Sequence, residues 1–206
     1  MSTLTDTKQK TNIFDAKGIA QIGVLTAIAT VLMLFEFPLW FAPGFYKIDL
    51  SDVPILIGSF AIGPLAGLIM ELIKNLLNLM INGTTTGGIG ELSNFVIGCA
   101  LVLPSALIYK RQKTKKGAVI GLVAGTVCLI LAGSLLNAYV LLPVYAKVFH
   151  MPMDALVAMG TAINPNIKSL PAFILFAVAP FNLLKGVLAS VLTLLIYKKV
   201  SPILHK

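Results

Sequence analysis

Six apolar stretches, at 19–35, 54–66, 67–81, 89–109, 117–142 and 171–197, take up most of the sequence and leave no room for a soluble domain longer than a loop. A helix that crosses a bilayer needs about 20 mostly apolar residues. The second and third stretches are shorter and share the break Gly63-Pro64-Leu65-Ala66-Gly67. Apolar residues make up 57% of the 206 and charged residues only 12%, which departs from the soluble balance. Lipid offers no partner for bare backbone, so only helices or closed barrels span it. The runs are continuous rather than alternating. An all-α integral membrane protein with six transmembrane helices is therefore expected: a tail over 1–18, one membrane domain over 19–200 and a tail over 201–206.

The net charge of +8 is concentrated in the tails and in Lys110-Arg111-Gln112-Lys113-Thr114-Lys115-Lys116. That cluster abuts a span, and the positive-inside rule makes it cytoplasmic. Six spans then put both termini on the same side, with Lys8, Lys10, Lys17, Lys198 and Lys199. The segments 36–52, 82–88 and 147–170 face outward. Such a distribution suits a bilayer rather than a nucleic-acid partner. The first 18 residues, with Asp6 and Asp15, lack the cleavage pattern of a removable signal. Cys99 and Cys128 lie inside apolar runs and read as small buried side chains.

Against this background Asn182 and Lys185 stand out, because an ionisable group within a span is a functional-site candidate by default. Counting about 1.5 Å of rise per residue places both roughly halfway down the sixth span. The same count puts Asn137 in the outer half of the fifth, Glu91 and Asn94 near the outer end of the fourth, and Asn75 and Asn78 below the outer end of the third. Residues three or four apart share a helical face, so each helix carries one polar stripe. Either these amides hold helices together by hydrogen bonds, or they line a pocket open to the outside; their gathering in one leaflet favours the pocket. Glu71 and Lys74, nearer the cytoplasmic end, read as a self-neutralising pair outside it.

The loop before the second span combines Pro38, Trp40, Phe41, Pro43, Phe45 and Tyr46 with acidic residues. It reads either as an interfacial aromatic belt or as a lid whose rings pack on a flat ligand. His150 has no second ligand at suitable spacing and suggests no metal site. The first span carries Gly23-Val24-Leu25-Thr26-Ala27, a small-x-x-x-small pattern that admits a neighbouring helix, internal or from a partner.

No phosphate-binding Gly-rich loop, zinc motif or nucleophile elbow is present. No enzyme and no cofactor are expected, and energy for active transport would have to come from another subunit. The different-class alternative is a membrane-embedded enzyme acting on a lipid or isoprenoid, with Glu91 or Lys185 as acid or base.

Several segments together resemble a known family: Phe35-Glu36-Phe37-Pro38, Lys47-Ile48-Asp49-Leu50-Ser51-Asp52-Val53-Pro54, Gly87-Gly88-Ile89-Gly90-Glu91-Leu92-Ser93-Asn94-Phe95 and Asn182-Leu183-Leu184-Lys185. These look like the substrate-binding S components of energy-coupling factor (ECF) vitamin transporters, and within them the riboflavin-specific branch. The resemblance covers nearly the whole chain. It implies a six-helix fold in a prokaryotic cell membrane that captures riboflavin from outside. It also implies docking on a transmembrane scaffold (T) subunit carrying two ATP-binding cassette ATPases. Asn137, Asn182 and Lys185 resemble the family's riboflavin-binding positions, with Glu91, Asn94 and Asn78 beside them and Trp40, Phe45 and Tyr46 covering the rings. Gly23 and Ala27 stand where the family has an alanine-based scaffold contact, the first position being glycine here. An S component for another vitamin is the nearer alternative.

Overall fold

The structure, a computed structural model, describes residues 15–204. The first fourteen residues of the expected N-terminal tail, with Asp6, Lys8 and Lys10, and the final two of the C-terminal tail lie outside the described residues. Helix α1 (Ala16–Leu34) starts where Asp15 accepts a hydrogen bond from Gly18 N at 2.6 Å, satisfying a donor that the first helical turn leaves open. A minimal hairpin follows, β1 (Phe37–Pro38) paired with β2 (Lys47–Ile48), Phe37 opposite Ile48 and Pro38 opposite Lys47. Then come α2 (Asp52–Ala61), α3 (Pro64–Asn82), α4 (Ile89–Arg111) and α5 (Lys115–Leu136). The α5 axis continues through a π-helical turn, Asn137–Leu141, into α6 (Leu142–Val148). Beyond α7 (Met153–Thr161), the last long axis runs through α8 (Leu170–Phe173), a second π-helical turn Ile174–Val178, and α9 (Ala179–Leu204).

Five of these axes are long and apolar enough to cross a membrane: Ala16–Leu34, Pro64–Asn82, Ile89–Arg111, Lys115–Val148 and Leu170–Val200. The protein is a helical membrane protein, with α2 as its shorter sixth helix. At about 1.5 Å per residue, the ten residues of α2 reach about 15 Å, half of the roughly 30 Å hydrocarbon core. The boundary between the second and third helices, expected at 66–67, lies instead at Ile62–Gly63. Pro64 disfavours a helical conformation in the residue before it, and Gly63 answers with φ +139° and ψ 171°, a region only glycine enters without strain. The expected outer segment 147–170 also holds a helix, α7. The basic turn between α4 and α5 ends where Thr114 caps α5, accepting from Gly117 N at 3.0 Å.

Two apolar clusters divide the interior. One joins Ile22, Leu25 and Ala29 of α1 to Ile55, Leu56, Met70, Leu101, Leu122 and Ala189. The other joins Tyr46 and Ile48 of the hairpin to Leu142, Leu156, Ile167, Phe173, Val178 and Phe181. Along three stretches of chain the same order recurs. Asn137 lies between Leu129 and Leu142; Asn182 and Lys185 lie between Phe181 and Ala189; Ser51 and Asp52 lie between Ile48 and Ile55. A buried polar layer thus separates the two clusters.

Candidate functional site

The hairpin sends its aromatic side chains to opposite fates. Trp40 is 89% exposed, and among the described residues its ring pairs only with that of Phe41, edge to face at 5.4 Å. Tyr46 turns inward, 7% exposed, after a turn closed by Tyr46 N donating to Pro43 O at 2.8 Å. Its ring contacts Phe45 at 4.7 Å, Phe181 at 5.3 Å and Phe173 at 6.2 Å between centroids. Its hydroxyl donates to Asn137 Oδ1 at 2.6 Å. Burial pushes the phenol well above its ordinary pKa, because the charged form would lose its hydration, so Tyr46 stays a neutral donor. Lys47 and Glu36 pair across the base of the hairpin.

Asn137 opens the first π-helical turn, and Asn182 lies four residues beyond the end of the second. Such turns displace side chains from α-helical register and are frequent at functional sites. Each asparagine donates back along its own helix, Asn137 to Gly133 O at 2.8 Å and Asn182 to Val178 O at 2.9 Å. The two axes meet at Gly133, where a Cβ would lie 2.6 Å from Asn182 Nδ2. That missing side chain brings both amides to one level. An amide offers two donors and an acceptor. Among the described residues the second N–H of each donates to no acceptor, and Asn182 Oδ1 accepts no hydrogen bond.

One turn along α9, Lys185 is buried with two carboxylates beside it, Asp52 Oδ2 at 3.4 Å and Asp49 Oδ2 at 3.5 Å. Neither contact is a direct hydrogen bond, and Asp52 Oδ2 takes none at all from the described residues. Lys74 is bound differently. Its three donors meet three acceptor groups, Asp52 Oδ1 at 2.8 Å, Ser51 Oγ at 3.2 Å and Glu71 at 2.9 and 3.1 Å. Asp49 is fixed in turn by Ser51 N, which donates to Oδ1 at 2.7 Å. Beyond Lys74 the network continues into α4. Asn75 donates to Glu71 Oε2 at 3.3 Å, and Asn94 to Asn75 Oδ1 at 3.0 Å. The Glu71 carboxylate nests against Gly98, where a Cβ would lie 2.6 Å from Oε2.

Two sequence expectations change. Glu71 and Lys74 do pair, but they are not outside the polar layer: through Asp52 they reach Lys185. Asp49 and Asp52, read as charges of an outward loop, are counter-ions instead, Asp52 buried and Asp49 partly so. Two buried lysines require buried carboxylates, and Asp49-x-Ser51-Asp52 ahead of an apolar helix is where the sequence offers them. Phe173 and Phe181, which face Tyr46, carried no comparable signal.

The structure brings together Tyr46, Phe45, Asn137, Asn182 and Lys185, and joins Asn94 to them through the network. The other expected positions stay apart. Asn78 accepts from Asn82 at 2.9 Å on an exposed part of α3, and Glu91 accepts from Thr84 at 3.0 Å at the start of α4. Gly23 and Ala27 lie on the exposed face of α1, and nothing comes within 4 Å of a Cβ built on Gly23. Among the described residues no group of three or more His, Cys, Asp or Glu side chains could hold a metal.

Two hollows of about 280 Å³ each open on the surface, one beside Ala27, Ile28, Val31 and Leu32, the other between α5 and α9 around Thr126, Val187 and Ser190. Neither adjoins the polar layer, which the Tyr46 hydroxyl reaches from the apolar cluster on one side. Amides, one ammonium with donors to spare and aromatic walls suit recognition of a flat, polar molecule.

The family described as "ECF transporter, substrate-specific component" matches residues 17–197. The chain is 33% identical over 199 residues to the riboflavin transporter RibU of Staphylococcus aureus, covering 97% of this chain and 98% of that protein. It is 36% identical over 187 residues to the riboflavin transporter FmnP of Bacillus subtilis, covering 90% and 93%. A solved structure, described as the S component of a bacterial ECF transporter, superimposes with a TM-score of 0.71 at 32% identity, covering 91% of this chain and 97% of that one.

Proposed function

The chain belongs to the substrate-specific components of ECF transporters, and from that premise we propose that it captures riboflavin in the polar layer and passes it inward with an ATP-driven partner module. The family is one of transporter components, not enzymes. One observation carries the reading: Tyr46, Asn137 and Asn182 come together with Lys185 one turn along α9, in a chain whose relatives are named riboflavin transporters. Riboflavin joins a flat three-ring system with an imide edge to a chain of hydroxyls. Amides that donate and accept fit the imide edge and the hydroxyls alike, and Lys185 donates to a carbonyl, ring nitrogen or hydroxyl. Phe45, Phe173 and Phe181 supply the apolar walls. The Tyr46 ring leaves Asn137 as the flavin arrives and then closes over it, carried by the hairpin. Asn94 supports the site from behind, while Trp40, Glu91 and Asn78 stand outside the contact set.

The basic turn at Lys110, Arg111, Lys113, Lys115 and Lys116 faces the cytoplasm by the positive-inside rule, with both termini. The hairpin and the site then face outward. The exposed α1 face at Gly23 and Ala27 meets the scaffold subunit, which carries the two ATPases. Titrating riboflavin into the purified chain tests the reading. Quenching of flavin fluorescence that saturates at one flavin per chain is expected, without any ATPase present. No quenching, or equal binding of an unrelated vitamin, would overturn it.

A further inference from the structure

The two buried lysines sit on either side of one carboxylate and are bound in opposite ways. Lys74, 0% exposed, has its donors matched by Ser51, Asp52 Oδ1 and Glu71. Lys185 has two carboxylate oxygens at 3.4 and 3.5 Å and no direct hydrogen bond to a described residue. The first arrangement is saturated, and its ammonium lies behind Asp52. The second holds an ammonium by charge alone.

We infer that Lys74 is a positioning residue for substrate binding. It fixes one oxygen of Asp52, so that the other balances the charge of Lys185 without taking its donors. The geometry supplies the reason. Asp52 Oδ1 is bound at 2.8 Å by Lys74, and Ser51, beside it, is bound by the same ammonium at 3.2 Å while its own N–H holds Asp49. Lys74 therefore anchors both carboxylates that face Lys185. Without it, Asp52 is free to rotate and form a short bidentate pair with Lys185, and the donors meant for ligand are lost. Glu71 keeps Lys74 in place from the far side, seated against Gly98 and held by Asn75.

The inference rests on the riboflavin reading, and a double-mutant cycle separates the two. Riboflavin affinity is measured by fluorescence quenching on the purified, monodisperse chain for wild type, Lys74→Met, Lys185→Met and the double variant. The expected result is a loss of about tenfold for Lys74→Met, within the range of coupling between residues of one network. In the Lys185→Met background the same change should have almost no further effect. Equal losses in both backgrounds would assign Lys74 a purely structural role and overturn the inference. So would unchanged affinity in Lys74→Met alongside a loss in Lys185→Met. Wild type that binds no flavin, or Lys185→Met that binds normally, defeats the site assignment itself. Should Lys74→Met fail to fold, the charge-balanced Glu71→Gln/Lys74→Met variant enters the same cycle with the same expectations.

Discussion

Tyr46 and Asn137, 91 positions apart in sequence, are joined by a hydrogen bond of 2.6 Å between the phenol and the amide carbonyl, so the hairpin is latched onto the membrane bundle by a group of the proposed binding site. On the proposed reading, binding breaks this bond. Tyr46→Phe keeps the ring and removes the latch. It should tighten riboflavin binding several-fold, since a hydrogen bond of this kind contributes about 0.5–1.5 kcal/mol. Weaker binding in a flavin titration would mean that the phenol itself contacts the ligand.

Gly133 touches no ligand in the proposed site, yet a methyl group there collides with the Asn182 amide. Gly133→Ala should lower affinity about as much as Asn182→Ala, at least tenfold, because a displaced amide loses directed hydrogen bonds. Membrane insertion should be normal in both. An unchanged dissociation constant for Gly133→Ala would remove Asn182 from the contact set.

On the opposite side of the network, Gly98→Ala places a methyl against the buried Glu71 carboxylate. Overpacking of this kind costs about 1–3 kcal/mol, and here it also displaces a charge. A fall in Tm of the purified protein is expected. Stability equal to wild type would show that Glu71 has room to move.

Gly23→Leu and Ala27→Leu change only the exposed face of α1. Flavin titrations should match wild type, while uptake by cells or vesicles containing the partner module should fall sharply. Lost binding in the isolated chain would instead mean that this face packs internally.

Trp40 makes one ring contact and is otherwise bare. Trp40→Ala should leave affinity within about twofold, the range expected of surface changes. A larger loss would bring Trp40 into the liganded site.

The spans were legible in the sequence because hydropathy marks them directly, and Asn137, Asn182 and Lys185 stood out as polar groups within them. The counter-ions were not. Asp49 and Asp52 precede a helix and look like loop charges; only the short α2, whose start lies inside the protein, carries them to the level of Lys185. Glu71 and Lys74 were recognisable as a pair through their i,i+3 spacing, but a third partner from another helix leaves no periodic trace. The two π-helical turns shift Asn137 and Asn182 relative to their neighbours; a proline two residues beyond each turn, Pro143 and Pro180, marks a disturbed helix but not which side chains it re-aims. Spacing alone equally grouped Asn78 and Glu91 with the site, since it records a shared face and not which neighbour that face meets.

Helix α2 is ten residues long and starts at Asp52, level with Lys185. What would be its other half in the bilayer is instead a hairpin held by two ladder pairs. A doorway to the polar layer therefore needs no helices to part. On the proposed reading, lifting the hairpin and breaking its Tyr46–Asn137 bond suffices, and the apolar cluster around Leu56 and Leu122 can stay packed throughout.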